Sequence, residues 1–114
     1  MRITLCGSTK FKEVFIEANV TLTLKGHTVY SVSCYGHAEE RVYTDKQKTV
    51  LDLVHLDKIL NSDAIVVLNV DDYVGESLCK EVFWARMQGK DIYWLEPSTH
   101  QLPSEELTLL ELLG

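Results

Sequence analysis

The run DAIVVLNV, at residues 63 to 70, is the most hydrophobic segment of this chain. An apolar run of this length is typical of a central parallel strand that is covered on both faces. Three further runs have strand character, namely RITLC at residues 2 to 6, HTVYSV at 27 to 32 and DIYWLEP at 91 to 97. The fold must therefore supply helices to both faces of a sheet.

The segments between these strands have the 3.6-residue period of helices. The first helix starts at residue 9, and its apolar face consists of Phe11, Val14, Phe15, Ala18 and Leu22. Thr44 and Gln47 form a T-x-x-Q capping box that opens a second helix, which runs to about Asn61. The third helix lies in GESLCKEVFWARMQG, residues 75 to 89, and a short C-terminal helix would carry Leu107, Leu110 and Leu113 on one side.

The order βαβαβαβα with short connections predicts one parallel sheet with right-handed crossovers. We expect an α/β fold, a doubly wound Rossmann-like (flavodoxin-like) parallel sheet of four to five strands in the order 2-1-3-4, with helices on both faces. A chain of 114 residues that is 46% hydrophobic is long enough for one core and too short for two. Residues 1 to 114 are therefore predicted to form a single domain.

The composition excludes several classes of protein. A net charge of −6 with only 11 Lys and Arg argues against binding to a nucleic-acid polymer. Cys6, Cys34 and Cys79 are far apart and show neither a disulfide framework nor the spacing of a zinc site. The N-terminus does not resemble a signal peptide, and no run approaches transmembrane length. We expect a cytoplasmic protein with no membrane partner, no metal and no cofactor.

In a sheet of this order, the ligand crevice opens outside the carboxyl ends of strands 1 and 3. GSTKF lies on one side, where Gly7 allows close approach and where the amides and hydroxyls of Ser8 and Thr9 can contact a ligand at a helix N-terminus. The alternative is an ordinary tight turn with Ser8 or Thr9 as an N-cap. Neither G-x-x-x-x-G-K nor G-x-G-x-x-G is present, which favours a ligand smaller than a whole NAD or ATP.

NVDDYVGES forms the opposite side of the predicted crevice. Asn69, Asp71 and Asp72 are candidates for binding sugar hydroxyls or orienting a side chain, and Gly75, Glu76 and Ser77 for supplying a second set of helix N-terminal amides. The alternative is that the two aspartates form a solvated turn and that Glu76 only favours the helix dipole.

Glu81 is the residue that fits its helix least well, because it shares a stripe with Leu78, Val82 and Ala85. A carboxylate on a buried face must be paired, protonated or exposed to a cavity. At the start of a helix that points at a cleft, a cavity is the expected explanation. In the alternative register Cys79, Val82, Phe83 and Arg86 face inward and Glu81 is exposed.

Aromatic and histidine side chains add weaker candidates. Tyr35, His37 and Tyr43 lie in the loop after strand 2, at the edge of the sheet where they could stack on a base. A loop packed by its own aromatic side chains is the alternative. His55, in the middle of the second helix, either faces the cleft or is a surface histidine.

Several motifs together resemble a known family. CGST after strand 1, NSDAIVVLNV around strand 3, and GES followed by EVFWARMQGKDIYWL resemble the nucleoside 2-deoxyribosyltransferase superfamily, which also contains deoxynucleoside 5'-monophosphate N-glycosidases. The chain is most similar to small phage and bacterial deoxyribosyltransferase-like proteins, and the similarity covers nearly all of residues 1 to 97.

The resemblance implies roles for particular residues. Glu81, followed four residues later by Ala85, matches the nucleophile that attacks the anomeric carbon of deoxyribose. Gly7 and Ser8 match the turn that contacts the sugar or base, and Gly75 and Ser77 match the loop that binds the 5' end. The family also implies a homodimer or higher homo-oligomer.

Three positions differ from the family pattern. Phe83 occupies a position that is usually small, Gly75 stands where an aspartate or serine is common, and His55 stands where the second helix often carries an aspartate. From the resemblance, the first hypothesis is an enzyme that cleaves or transfers the N-glycosidic bond of a deoxynucleoside or its 5'-monophosphate. The alternatives are a nucleotide or nucleotide-signal binding protein that uses the same cleft without turnover, and a subunit that serves assembly.

Overall fold

The structure, a computed structural model, describes residues 1–105 and 108–113. Four strands form one parallel sheet: β1 (Arg2–Cys6), β2 (Thr28–Tyr30), β3 (Ala64–Val67) and β4 (Asp91–Trp94). Their order in the sheet is β2-β1-β3-β4, which confirms the predicted doubly wound topology. β1 and β3 lie side by side in the centre, with Cys6 opposite Val67 at their carboxyl ends.

Within the described residues, four α-helices accompany the strands: α1 (Lys12–Leu24), α2 (Asp45–Leu60), α3 (Glu76–Met87) and α4 (Leu109–Leu113). The predicted capping box opens α2, because Thr44 Oγ1 accepts a hydrogen bond from the Gln47 amide at 3.1 Å while Gln47 Oε1 accepts one from the Thr44 amide at 2.9 Å. α1 begins later than residue 9, since the chain first makes a turn in which the Phe11 amide donates to Ser8 O.

Each face of the sheet has its own apolar cluster. On one face, Cys6, Ile65 and Val67 pack against side chains of α2 and α3, which include Ile59, Leu78, Val82 and Ala85. On the other face, Ile3, Leu5, Val66 and Leu68 pack against Phe15 and Leu22 of α1, and α4 adds to that cluster. Successive residues of a strand point to opposite faces, so Cys6 points toward α2 and α3 whereas Leu5 points toward α1.

The C-terminal helix differs from its predicted orientation. Leu109, Leu112 and Leu113 contact the α1-side cluster, while Leu110 is 77% exposed. Leu107 lies outside the described residues. α4 has only five residues, and its inward side is fixed by the approach of Thr108 to Trp94 at the end of β4 rather than by a longer helical stripe.

No helix in residues 1–105 or 108–113 combines the length and the apolar character that crossing a membrane requires.

A partly buried ion pair attaches the C-terminal segment to α3. Arg86 Nε and Nη2 donate to the two carboxylate oxygens of Glu105 at 2.5 and 2.7 Å, and Nη2 also donates to His100 O at 2.7 Å. Burial alone would raise the pKa of Glu105, but the hydrogen bonds from Arg86 and from the Leu102 amide outweigh it, so the pKa lies below its ordinary value of 4.5. The carboxylate is therefore stabilised in its ionised form.

We expect Glu105→Gln to lower the free energy of unfolding by about 1 to 3 kcal/mol at neutral pH, because it leaves the Arg86 guanidinium without its bidentate partner. Since a lowered pKa stabilises the fold only above the ordinary value, the difference from wild type should shrink as the pH falls below about 4.5. Urea titrations at several pH values measure this. Lys80→Ala, which breaks an exposed pair with Glu76, serves as the control and should change stability by less than about 0.5 kcal/mol.

Candidate functional site

A cavity of about 680 Å³ opens beyond the carboxyl ends of β1 and β3. Three parts of the chain form its walls: the turn after β1, the loop between β2 and α2 together with one face of α2, and the first turns of α3. This is the position that the strand order predicts for a ligand crevice. The volume lies within the range of small-molecule sites, about 300 to 1,000 Å³.

Two potentially reactive side chains, His55 and Glu81, line the floor of this cavity, and the fully buried Cys6 lies next to His55. Cys6 is the last residue of β1, His55 lies near the middle of α2, and Glu81 lies in the second turn of α3. His55 Nε2 is 3.6 Å from Cys6 Sγ and also 3.6 Å from Glu81 Oε1. The residues are distant in sequence, and the packing of α2 and α3 over the end of β1 brings them together.

The packing of α2 against α3 positions His55 and Glu81. Trp84 Nε1, on α3, donates a hydrogen bond to the Leu56 carbonyl oxygen of α2 at 3.1 Å. On α3, Leu78, Val82 and Ala85 are buried, so the first of the two helical registers is the observed one. Glu81 lies at the edge of that stripe, with 17% of its side chain exposed. It is held against the core, and the exposed part faces the cavity.

Burial shifts the pKa values of all three side chains. It raises the pKa of Glu81 to about 8, and the nearby Asp52 carboxylate adds to the effect. Burial lowers the pKa of His55 to about 4, with a further contribution from the Lys58 ammonium. The pKa of Cys6 is raised by burial and then by Glu81. All three groups therefore favour their neutral forms when no ligand is bound, and a ligand that stabilises charge would change that balance.

The turn after β1 and the start of α3 form the rim. Gly7, Ser8 and Thr9 line the cavity on one side, and Gly75, Glu76 and Ser77 line it on the other. Both groups were predicted to face a ligand, and the structure brings them to the same cavity.

Gly7 occupies a position with little space. A Cβ on Gly7 would lie 3.1 Å from Leu68 O and 3.3 Å from Leu68 Cβ. At 3.1 Å the neighbour would have to move, and Leu68 O is a backbone atom next to a central strand. The absence of a side chain therefore lets the turn after β1 pass close to β3.

The loop after β2 contributes His37 and Tyr43 to the cavity wall but not Tyr35. The Tyr35 ring instead makes an edge contact with Phe15, with ring centroids 5.9 Å apart, and belongs to the α1-side cluster. The expectation that Tyr35 faces the ligand is thus corrected, because burial against Phe15 turns it to the other face of the sheet.

Asn69 and Asp71 also lie outside the cavity wall. Asn69 is fully buried, donates to Glu96 O at 2.9 Å and accepts from the Glu96 amide at 3.0 Å. The Asp71 amide donates to the Glu96 carboxylate. These bonds join the end of β3 to the segment after β4, on the side away from β1. The expectation that both residues contact the ligand is corrected. Their hydrogen bonds instead link the segment after β3 to the segment after β4.

Several wall residues were missed by the sequence analysis. One face of α2 supplies Lys48, Leu51, Asp52 and Lys58, and the preceding loop supplies Arg41. His55, which the sequence offered as a candidate, lies on the same face of α2 and lines the cavity. The signal for the α2 set was available, because these positions recur three or four residues apart within a helix whose start the capping box defines. The wall thus carries cationic and anionic side chains together.

Phe83 does not crowd the site. It is 61% exposed and lies on the opposite side of α3 from the cavity. The difference from the family pattern at this position therefore leaves the space next to Glu81 open.

The fold is similar to that of two solved enzymes. One is the 2-deoxyribosyltransferase of the psychrotolerant bacterium Bacillus psychrosaccharolyticus, with a TM-score of 0.71 and 17% identity over 98% of this chain and 96% of that one. The other is the CMP N-glycosidase of Clostridium botulinum, with a TM-score of 0.56 and 23% identity over 82% of this chain and 70% of that one. These similarities confirm the α/β fold that the resemblance in the sequence implies.

No protein-family model matches the sequence, and comparison with curated protein sequences gives no match.

Proposed function

We propose that this protein cleaves or transfers the N-glycosidic bond of a deoxynucleoside or of a deoxynucleoside 5'-monophosphate. The observation that carries the proposal is the position of Glu81, a partly exposed carboxyl group on the floor of a cavity at the carboxyl ends of the central strands. The similarity of the fold to a deoxyribosyltransferase and to an N-glycosidase supports this class of reaction.

In the proposed reaction, Glu81 is the nucleophile. Its ionised carboxylate forms a bond to C1' of the sugar, while the bond from C1' to the base nitrogen breaks and the base leaves with the electron pair and gains a proton. Water, or a second base, then attacks C1' and releases Glu81. The first choice gives hydrolysis and the second gives transfer.

Different parts of the cavity lining suit different parts of a nucleotide. The first turn of α3, from Gly75 to Ser77, offers the positive end of a helix dipole to the 5' end of the sugar. His37 and Tyr43 in the opposite wall offer ring faces to a base. The turn of Gly7 and Ser8 lines the same cavity and would contact the sugar.

The experiment is to incubate the purified protein with each deoxynucleoside and each 5'-monophosphate and to separate the products by chromatography. We expect free base from at least one substrate. Addition of a second base distinguishes transfer, which yields a new nucleoside, from hydrolysis, which yields free sugar. If no substrate releases base under any condition between pH 6 and pH 9, the proposal is wrong.

A second candidate function is nucleotide binding without turnover. It is favoured by one observation, the raised pKa of Glu81, because a protonated carboxyl group is a poor nucleophile. Here a bound nucleotide would be recovered unchanged after long incubation with the protein. Assembly into a homo-oligomer and a cytoplasmic location remain predictions from the resemblance and the composition.

A further inference from the structure

A fully buried thiol lies next to an imidazole and a carboxyl group that line the cavity. One donor atom from each of Cys6, His55 and Glu81 lies within 4.8 Å of the other two. No local pattern in the sequence indicates this cluster, because its members come from three different elements and show no ligand spacing. In the parts of the chain that the structure describes, it is the only group of its kind.

The contact between His55 and Glu81 is longer than a good hydrogen bond. His55 Nε2 and Glu81 Oε1 are 3.6 Å apart, whereas N–H···O bonds usually measure about 2.7 to 3.2 Å. The contact with Cys6 Sγ uses the same nitrogen at 3.6 Å, so one imidazole atom faces two partners. The contact with Cys6 is within hydrogen-bonding distance for sulfur, whereas the contact with Glu81 is too long for a hydrogen bond between nitrogen and oxygen.

The same distances match the edges of a metal tetrahedron. With bonds of about 2.0 to 2.1 Å to nitrogen, 2.0 to 2.2 Å to oxygen and 2.3 Å to sulfur, the ligand atoms of tetrahedral zinc are separated by about 3.4 to 3.6 Å. The nitrogen-to-sulfur distance of 3.6 Å and the nitrogen-to-oxygen distance of 3.6 Å are close to these values. A cation between the three atoms would draw Cys6 Sγ and a Glu81 oxygen, which lie within 4.8 Å of each other, to a separation of about 3.6 Å.

We propose that Cys6, His55 and Glu81 form a binding site for Zn²⁺ or a similar thiophilic divalent cation, with the fourth coordination position open to the cavity. The donor set selects the metal, since Mg²⁺ and Ca²⁺ prefer oxygen ligands alone whereas zinc accepts thiolate, imidazole and carboxylate. Three protein ligands with an open position are the arrangement of catalytic rather than structural zinc sites. On binding, the Cys6 thiol and the Glu81 carboxyl group each lose a proton to solvent as their bonds to the metal form.

Occupation of this site has a consequence for the proposed reaction. A Glu81 oxygen bound to the cation is unavailable for attack on a sugar, so the cation inhibits glycosyl transfer. This second step rests on the proposed function, whereas cation binding does not. The two statements can therefore fail separately.

The test is a titration of the chelator-treated protein with Co²⁺, which replaces zinc and reports on its ligands by absorption. We expect a thiolate-to-cobalt charge-transfer band that saturates at one cobalt per chain and disappears when Zn²⁺ is added. Cys6→Ser should abolish the band. His55→Gln should weaken cobalt binding by at least about 100-fold, because loss of even an outer-shell partner costs about 10- to 100-fold. Cys79→Ser, at an exposed cysteine outside the cluster, should leave the band unchanged.

Absence of the band in the wild-type protein, or its persistence in Cys6→Ser, would overturn the site. If Cys6→Ser does not fold, His55→Gln carries the test, because His55 lies on a helix rather than in the central sheet.

A separate assay of base release with and without equimolar Zn²⁺ measures inhibition. A protein that binds cobalt as expected but releases no base even after chelation retains the metal site and refutes only the proposed function.

Discussion

Replacement of Glu81 by glutamine should reduce the release of base from a deoxynucleoside or its monophosphate by at least about 10³-fold. Glutamine has nearly the same shape, so the cavity and the packing of α3 should persist. It cannot form an anion and cannot make the ester bond to C1' that the proposed mechanism requires. The rate is measured at saturating substrate and at pH 8 to 9, where a group of pKa about 8 is largely ionised.

The matched control is Glu17→Gln, which removes an exposed carboxylate from α1 on the other face of the sheet. It should retain wild-type activity. Mass spectrometry of acid-quenched wild-type protein should in addition show a deoxyribosyl adduct on the peptide that contains Glu81. A Glu81→Gln protein that keeps more than a tenth of the wild-type rate would show that another group initiates the reaction.

The same substitution should make the protein more stable at neutral pH. In the folded state the pKa of Glu81 is about 8 against an ordinary value of 4.5, so between these values the native state binds a proton that the unfolded state has released. Folding stability contributed by this residue therefore falls as the pH rises from 4.5 to about 8. Because glutamine does not titrate, Glu81→Gln avoids this loss of stability. We expect its free energy of unfolding to exceed that of wild type by about 2 to 4 kcal/mol at pH 7.

Urea denaturation of both proteins at pH 5, 6, 7 and 8, with chelator present, measures this difference. The gain should be small at pH 5 and should grow toward pH 8. Asp52 and the thiol of Cys6 face Glu81 along with His55, and all three are present in both proteins, so the comparison isolates the carboxyl group. An equal difference at every pH would mean that Glu81 titrates normally. A gain in stability with a loss of activity is the trade-off expected of a functional group placed in a core.

Much of the fold could be predicted from the sequence because its signals are local. The apolar run that contains β3, the capping box at Thr44 and the helical stripe of Leu78, Val82 and Ala85 each depend on neighbours within a few residues. α4 was misjudged because its inward face depends on the contact between Thr108 and Trp94, which is a tertiary feature that no local period reports.

Less of the candidate site could be predicted from the sequence, because many of its contacts join residues that are distant in the chain. The rim residues Gly7 and Gly75 lie next to strand ends, so topology alone brings them together. The pairing of Asn69 with Glu96 was not predictable, since a polar residue at the end of a central strand can face the strand on either side of it. The cluster of Cys6, His55 and Glu81 needed the relative position of two helices, which periodicity does not supply.

The cavity is built from parts that differ in their importance for folding. Its floor belongs to the packed core, whereas none of residues 31 to 43, which form much of one wall, is fully buried. Substitutions at such exposed loop positions usually change stability by less than about 0.5 kcal/mol. Ligand preference can therefore diverge among related proteins through this loop while the floor, and with it the chemistry, stays the same.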